Sequence, residues 1–349
     1  MKKWFVIIPL LTAAAVAGWF FYHRNPEPQP PRNVILITID TLRADHLGCY
    51  GYNRAQTPNI DDWANQGVLF RNATTTTPLT LPAHSSIMTG TYPISHGVRD
   101  NVGFYLDDKW VTLAETMKNN GFQTGGFISA FVLDRRWGIA QGFQEYFDHF
   151  ELSKYKAVSL DAVQRRGDET LDHALKWIDK VKDQRFFSWI HFYDPHTPYD
   201  PPDPYRKPWA DEKFGLYDGE IAYTDHLIGE LKAYLKAHNL DSTTAIVLMA
   251  DHGESLGEHD ETGHGFFIYD ATTHIPMIIV APGRKHFEVR DQVRSIDIYP
   301  TICSLVKVQP PSSVEGKSLL PLIRGETLPA PLTAYSESYY PRFHYGWNE

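Results

Sequence analysis

The chain has 349 residues, 42% of them hydrophobic, enough for one large or two modest domains with a substantial core. A formal net charge of -9 and the lack of any Lys/Arg cluster argue against a polyanion ligand, so no nucleic-acid partner is expected. Cys49 and Cys303 form no CxxC-type pair, which argues against a disulfide scaffold and reads as two buried thiols.

Lys2 and Lys3 precede an apolar run from Trp4 to Tyr22, closed by His23 and Arg24. A bilayer core needs ~20 apolar residues, so residues 1–24 are expected to form a single N-terminal signal anchor, a transmembrane helix. The lysines should stay cytoplasmic, leaving the rest of the chain anchored to an inner membrane and facing the periplasm. Ala15-Val16-Ala17 resembles a small-residue cleavage site, but the apolar run continues through Trp19, Phe20 and Phe21, which favours an uncleaved anchor. Residues 25–32, beginning NPEPQPP, read as a stiff Pro-rich linker, and residues 33–349 as the domain it carries.

Asn33 to Ile39 is almost wholly apolar and β-branched, the pattern of a strand buried on both faces. A helix opens at Thr57-Pro58, and a short strand follows at Val68 to Phe70. The hydroxyl-rich stretch Thr75 to Gly90 then predicts a short helix, with Pro82 in its first turn and Gly90 just past its end. That places Thr80 at or just before the helix N-terminus, where unpaired N–H groups and the helix dipole favour an anion. A helix over Thr112 to Asn120 and a strand over Phe122 to Ile128 come next. The aromatic-rich Phe131 to Val163 reads as a surface insertion. Asp168 to Lys182 carries a helical apolar stripe, Phe186 to Phe192 is a strand, and Glu220 to His238 is a second amphipathic helix. Strands at Thr244 to Met249 and Pro276 to Val280 and a helix at Ile298 to Val306 complete the pattern, with no internal repeat.

Alternating strands and helices imply an α/β sheet, in which ligands bind beyond the carboxyl ends of the strands. Three predicted strands end in chemistry-bearing residues: Asp40, the pair Asp194 and His196, and the pair Asp251 and His252. Asp40, Asp251 and His252, with the Thr80 hydroxyl, could hold one divalent metal. Carboxylates alone suit Ca or Mg, and the imidazole moves the preference toward Zn or Mn. Such a metal would acidify the Thr80 hydroxyl and make it a nucleophile near neutral pH. His84, His196, His259 and His264 are candidates for holding the remaining oxygens or protonating a leaving group, with His196 and His264 ahead of the others.

The segments NVILITIDTLRADHLGCYGY, TLPAHSSIMTGTYP, HFYDPHTPY, MADHGESLGEH and the run from SIDIYPTICSL to PLIRG resemble, as an ordered set from Asn33 to Arg324, the sulfatase family of the alkaline-phosphatase superfamily. The resemblance implies an alkaline-phosphatase-like mixed, mostly parallel sheet between helices, with a metal and a covalent nucleophile at its edge. It gives Asp40 the place of the first metal-binding aspartate, Thr80 that of the nucleophile, and Asp251 with His252 that of the late metal pair. His196 falls on the histidine that contacts the ester oxyanion, and His264 where the family usually has an anion-binding lysine.

Departures from the family pattern shape the expected activity. The family's Cys or Ser, oxidised to formylglycine, is Thr80 here, a secondary alcohol that oxidation would turn into a ketone. Thr41 replaces a metal-shell aspartate, and Ile128-Ser129-Ala130-Phe131 stands where a Gly-Lys-Trp-His element is expected. The remaining Asp/Thr/Asp/His set is similar to that of Thr-nucleophile phosphodiesterases and phosphoethanolamine transferases. The expectation is therefore a metal-dependent hydrolase of phosphate mono- or diesters working through phospho-Thr80 on a small-molecule, glycan or lipid ester. The alternatives are an arylsulfatase-like enzyme, a phosphoethanolamine-type transferase, disfavoured by the single span, and an inactive metal-binding member. Arg99-Asp100-Asn101 reads as a salt-bridged loop. The chain stops at Glu349 with no closing helix expected, as in a fragment lacking the family's small C-terminal subdomain.

Overall fold

The computed structural model describes residues 28–152 and 163–347; the expected anchor over 1–24 and residues 25–27 of the linker lie outside the described residues. Among the described residues, no helix is long and apolar enough to cross a membrane.

Strand β1 (Asn33–Ile39) is buried along its whole length. It runs parallel to β5 (Phe186–Phe192) on one side and to β6 (Thr244–Ala250) on the other. Helices cover both faces, so a Val, Leu or Ile in these strands leaves water entirely, worth about 1.5–3 kcal/mol per side chain. The full sheet has eight strands in the order β10-β2-β9-β6-β1-β5-β3-β4. The other members are β2 (Val68–Thr74), β3 (Gln123–Ile128), β4 (Glu145–Phe147), β9 (His274–Val280) and β10 (Phe287–Arg294). β9 lies antiparallel between β2 and β6, so the sheet is mixed. A two-residue hairpin, β7 (Ser255–Leu256) with β8 (Thr262–Gly263), stands beyond the end of β6.

The principal helices are α1 (Pro58–Gln66), α2 (Thr80–Thr89), α3 (Leu113–Asn119), α4 (Gly167–Val181), α5 (Gly215–Ala237), α6 (Ile298–Leu305) and α7 (Tyr340–Tyr345). Every residue of α2 is buried. The helix closes at Gly90, whose φ of +66° and close approach to Val314 Cγ1, 2.8 Å from where a Cβ would stand, both require glycine. Thr112 and Glu115 form a reciprocal capping box that starts α3.

The structure departs from expectation at five points. β2 runs on to Thr74, and α5 begins at Gly215, before Glu220. β10 was unexpected, because its charged residues Glu288, Arg290 and Asp291 lie exposed on a sheet edge and a bulge between Val289 and Gln292 breaks the alternation. Phe131 to Val163 is not wholly a surface insertion: Phe131, Val132, Leu133 and Ile139 are in the core and β4 extends the sheet beside β3. A short helix, α7, stands near the end of the chain where none was expected, because Tyr340 and Tyr345 pack their rings on Phe266.

Candidate active site

In register, Ile39 of β1 faces Phe192 of β5 and Ala250 of β6. The three adjacent central strands therefore end on one line, and the next residues converge. Asp40 follows β1, its N–H bonded to Phe192 O at 2.9 Å, and Asp251 follows β6. Both are fully buried, as is His252. The His252 ring is oriented by its Nδ1–H, which donates to Gly253 O at 2.9 Å and leaves Nε2 as an acceptor. That Nε2 lies 3.3 Å from Thr80 Oγ1, 3.4 Å from Asp251 Oδ2 and 3.7 Å from Asp40 Oδ1. Thr80, the first residue of α2, is 2% exposed and meets His252 at this point.

Burial and the nearby Asp40 charge push the Asp251 carboxyl well above the usual carboxylate range. Asp251 Oδ2 accepts no hydrogen bond. Burial holds His252 well below its ordinary value, so the imidazole is neutral. The ligand atoms of Asp40, Asp251 and His252 all lie within 4.8 Å of one another. Two buried carboxylates, a neutral imidazole aimed by its far nitrogen and a hydroxyl form a donor set that a divalent cation would satisfy and neutralise.

The histidines divide. His264 Nδ1 lies 3.1 Å from Glu254 Oε1, and its ring centroid stands 4.5 Å from that of His252 and 5.2 Å from that of His196. His196 stacks on Tyr193 at 4.2 Å, and its Nδ1 bonds Thr197 O at 2.6 Å. Burial, with the neighbouring His264, pushes it down to about 3. His84 is placed differently from expectation. Trp189 Nε1–H donates to Thr38 Oγ1 at 2.9 Å, the Thr38 hydroxyl donates to His84 Nε2 at 2.9 Å, and His84 Nδ1–H donates to Thr80 O at 2.8 Å. With both nitrogens occupied and the ring fully buried, His84 has none left for a leaving group. His259 is exposed and stacks on Tyr269 at 3.9 Å, outside the cluster.

Two further expectations change. Asp194 leaves the site: its Oδ1 accepts the Gly167 N–H at 3.0 Å at the start of α4, and burial pushes it up to about 6. The row of free N–H groups at the start of α2 is smaller than expected. Leu81 N–H donates to Asn101 Oδ1 at 2.8 Å, Pro82 has none, and Ala83 N–H bonds Leu79 O. Arg99 pairs with Glu337 at 3.4 Å and lies over the Tyr339 ring, in keeping with a salt-bridged loop.

Sequence reasoning missed His191 and Glu254. His191, inside β5, is fully buried with neither nitrogen hydrogen-bonded, and its Nε2 lies 3.3 Å from Asp40 Oδ2. Burial pushes it down to about 3. The available signal was an imidazole in the otherwise apolar FFSWIHF, in a strand beside β1. Glu254, fully buried, steadies His264 and receives the Tyr199 hydroxyl at 3.4 Å. A cavity of about 760 Å³ opens above the cluster, with Leu79, Asn101, His196 and His264 in its wall.

The family model described as Sulfatase matches residues 32–308. The chain is 26% identical over 346 residues to an ulvan-active sulfatase from Formosa agariphila, a match covering 86% of this chain and 66% of that protein. It is 26% identical over 379 residues to an arylsulfatase from Clostridium perfringens, covering 83% and 78% respectively. The phosphonate monoester hydrolase of Agrobacterium radiobacter shares the fold, with a TM-score of 0.76 at 24% identity over 88% of this chain and 79% of that one.

Proposed function

The chain belongs to the sulfatase family, and we propose that it is a metal-dependent hydrolase of phosphate mono- or diesters in which Thr80 is the nucleophile. The observation that carries this reading is the Thr80 hydroxyl 3.3 Å from His252 Nε2, in the same buried cluster as Asp40 and Asp251. When bound there, a divalent metal, Zn or Mn by preference, would lower the hydroxyl pKa and neutralise charge on the ester oxygens. Asp40, Asp251 and His252 would hold it, with Thr80 beside them.

In the first step Thr80 Oγ gives up its proton and bonds to phosphorus, while the ester oxygen leaves with the electron pair of its bond to phosphorus and takes up a proton. In the second, a water oxygen bonds to phosphorus, the bond to Thr80 Oγ breaks with its electron pair on that oxygen, and a proton from the water restores the Thr80 hydroxyl. A monoester gives phosphate, while a diester gives a phosphate monoester. His264, held through Nδ1 by Glu254, and His196 stand in the cavity wall where a proton must pass to and from the leaving oxygen. His84 holds Thr80 through its carbonyl.

A second reading, a sulfuric ester hydrolase, is favoured by the names of the curated relatives. The fold itself does not choose, since proteins named as phosphonate monoester hydrolases and as sulfatases share it. A secondary alcohol cannot become the aldehyde whose hydrate releases sulfate by elimination, which supports phosphorus. The test is a panel of matched aryl phosphates and aryl sulfates with mass spectrometry of the quenched protein. Phosphate turnover with phosphate on Thr80, both lost in Thr80→Ala, is expected; sulfate turnover alone, or turnover unchanged in Thr80→Ala, would refute the proposal. The apolar run Trp4 to Tyr22 behind Lys2 and Lys3 supports a membrane-anchored, periplasmic location. Cell fractionation that finds the protein outside the membrane pellet would remove it.

A further inference from the structure

The cavity walled by His196 and His264, next to His252, has an unusual electrical character for a site that handles an anionic ester. Its wall contains Asp100, Asp260 and Glu261 but, among the described residues, no lysine or arginine. Asp100 is already met by His344 Nε2 at 3.0 Å. Glu261 is not so placed. It is 7% exposed, its Oε1 accepts the Phe267 N–H at 3.2 Å, and its Oε2 is buried with no hydrogen-bond partner. A buried carboxylate oxygen left without a donor costs about 1–3 kcal/mol or more, and its charge adds to the negative field of the wall. Aromatic rings complete the wall. Phe266 meets Tyr345 at 5.0 Å and Tyr340 at 6.2 Å, Phe267 lies 5.3 Å from Phe266, and Tyr345 is 60% exposed. Such π faces attract organic cations.

Resting on the hydrolase reading above, we propose that this cavity receives the leaving group of the ester and that the leaving group it takes is cationic, a compact ammonium or trimethylammonium met by the Glu261 carboxylate and the faces of Phe266, Phe267 and Tyr345. The anionic phosphoryl end then lies at the metal-ligand cluster and the cationic end in the acidic, aromatic cavity, so the substrate is zwitterionic. Leaving groups that carry carboxylate or sulfate are repelled.

Three aryl phosphates of matched leaving-group acidity, carrying trimethylammonium, no charge or carboxylate, test this on the full-length, metal-loaded protein. The three free phenols are titrated separately by calorimetry. The expected order of kcat/KM and of phenol affinity is cation, neutral, anion, with a cation-to-anion ratio of at least about tenfold. Glu261→Gln should reduce that ratio to a few-fold, and the exposed Asp260→Asn, which puts no folding burden on the core, should reduce it less. A cationic phenol that binds preferentially, with no ester turned over, keeps the cavity assignment and removes the hydrolase reading. Turnover or phenol binding that is indifferent to charge or favours carboxylate, or binding of no phenol at all, overturns the assignment and leaves the hydrolase reading to its own test.

Discussion

Replacing Thr38 by valine would separate a structural His84 from a proton-donating one. The change is nearly isosteric and lies in β1, fully buried. It removes a hydroxyl that receives Trp189 Nε1–H and donates to His84 Nε2, each at 2.9 Å. Both partners are fully buried, so each is left unsatisfied at about 1–3 kcal/mol. The sum is a stability loss of about 2–6 kcal/mol, seen as a lower denaturation midpoint with an unchanged denaturant slope. The His84 bond to Thr80 O remains, so Thr80 keeps its place and kcat/KM should fall by less than about tenfold. The decisive assay is kcat/KM for a series of aryl phosphates of increasing leaving-group pKa. Because His84 only holds the helix, Thr38→Val and His84→Gln should leave the slope of that series unchanged. A slope that steepens, with the poorest leaving groups suffering most, would show that His84 donates the proton and would refute the reasoning.

Burial and then the neighbouring Asp194 charge push the Glu220 carboxyl up to about 9, from 4.5 in the free side chain. The folded chain therefore keeps a proton that the unfolded chain releases. Stability from this group is complete below pH ~4.5 and is lost as pH rises toward about 9, by up to about 1.4 kcal/mol per unit. Glu220→Gln should flatten the stability curve between pH 6 and 8 (roughly the middle of that window), and an unchanged curve would show that Glu220 is ionised in the fold. His191→Phe keeps the ring volume in β5 but removes the nitrogen 3.3 Å from Asp40 Oδ2. Metal affinity measured by chelator competition should drop about 10–100-fold, with far-ultraviolet circular dichroism retained. Undiminished affinity would mean that Asp40 is held in place without it.

Asp40, Asp251 and His252 were legible in the sequence because a buried strand is a continuous apolar run, and the polar residue that ends it marks the sheet edge. Thr80 was legible for a similar local reason, since Pro82 and Gly90 bracket one short helix and leave its first residue at the mouth. His84 was misread because its role depends on Thr38 and Trp189, which lie 46 and 105 residues away in the chain and meet it only once β1 and β5 pair. His191 and Glu254 were passed over because local pattern does not say whether a polar residue in an apolar run faces a ligand, a helix or nothing.

Local rules of strand, turn and cap, acting over a few residues, determined which segments end in candidate ligands and which residue begins α2. Strand order decided the rest. Only when β6, β1 and β5 lie side by side do their ends place Asp40, Asp251 and His252 within reach of one another, and only the hairpin after β6 brings Glu261 and His264 back over them. The reason is physical: which strands are neighbours is settled by burying both faces of the whole sheet at once, a sum over the entire chain that no single stretch of sequence contains.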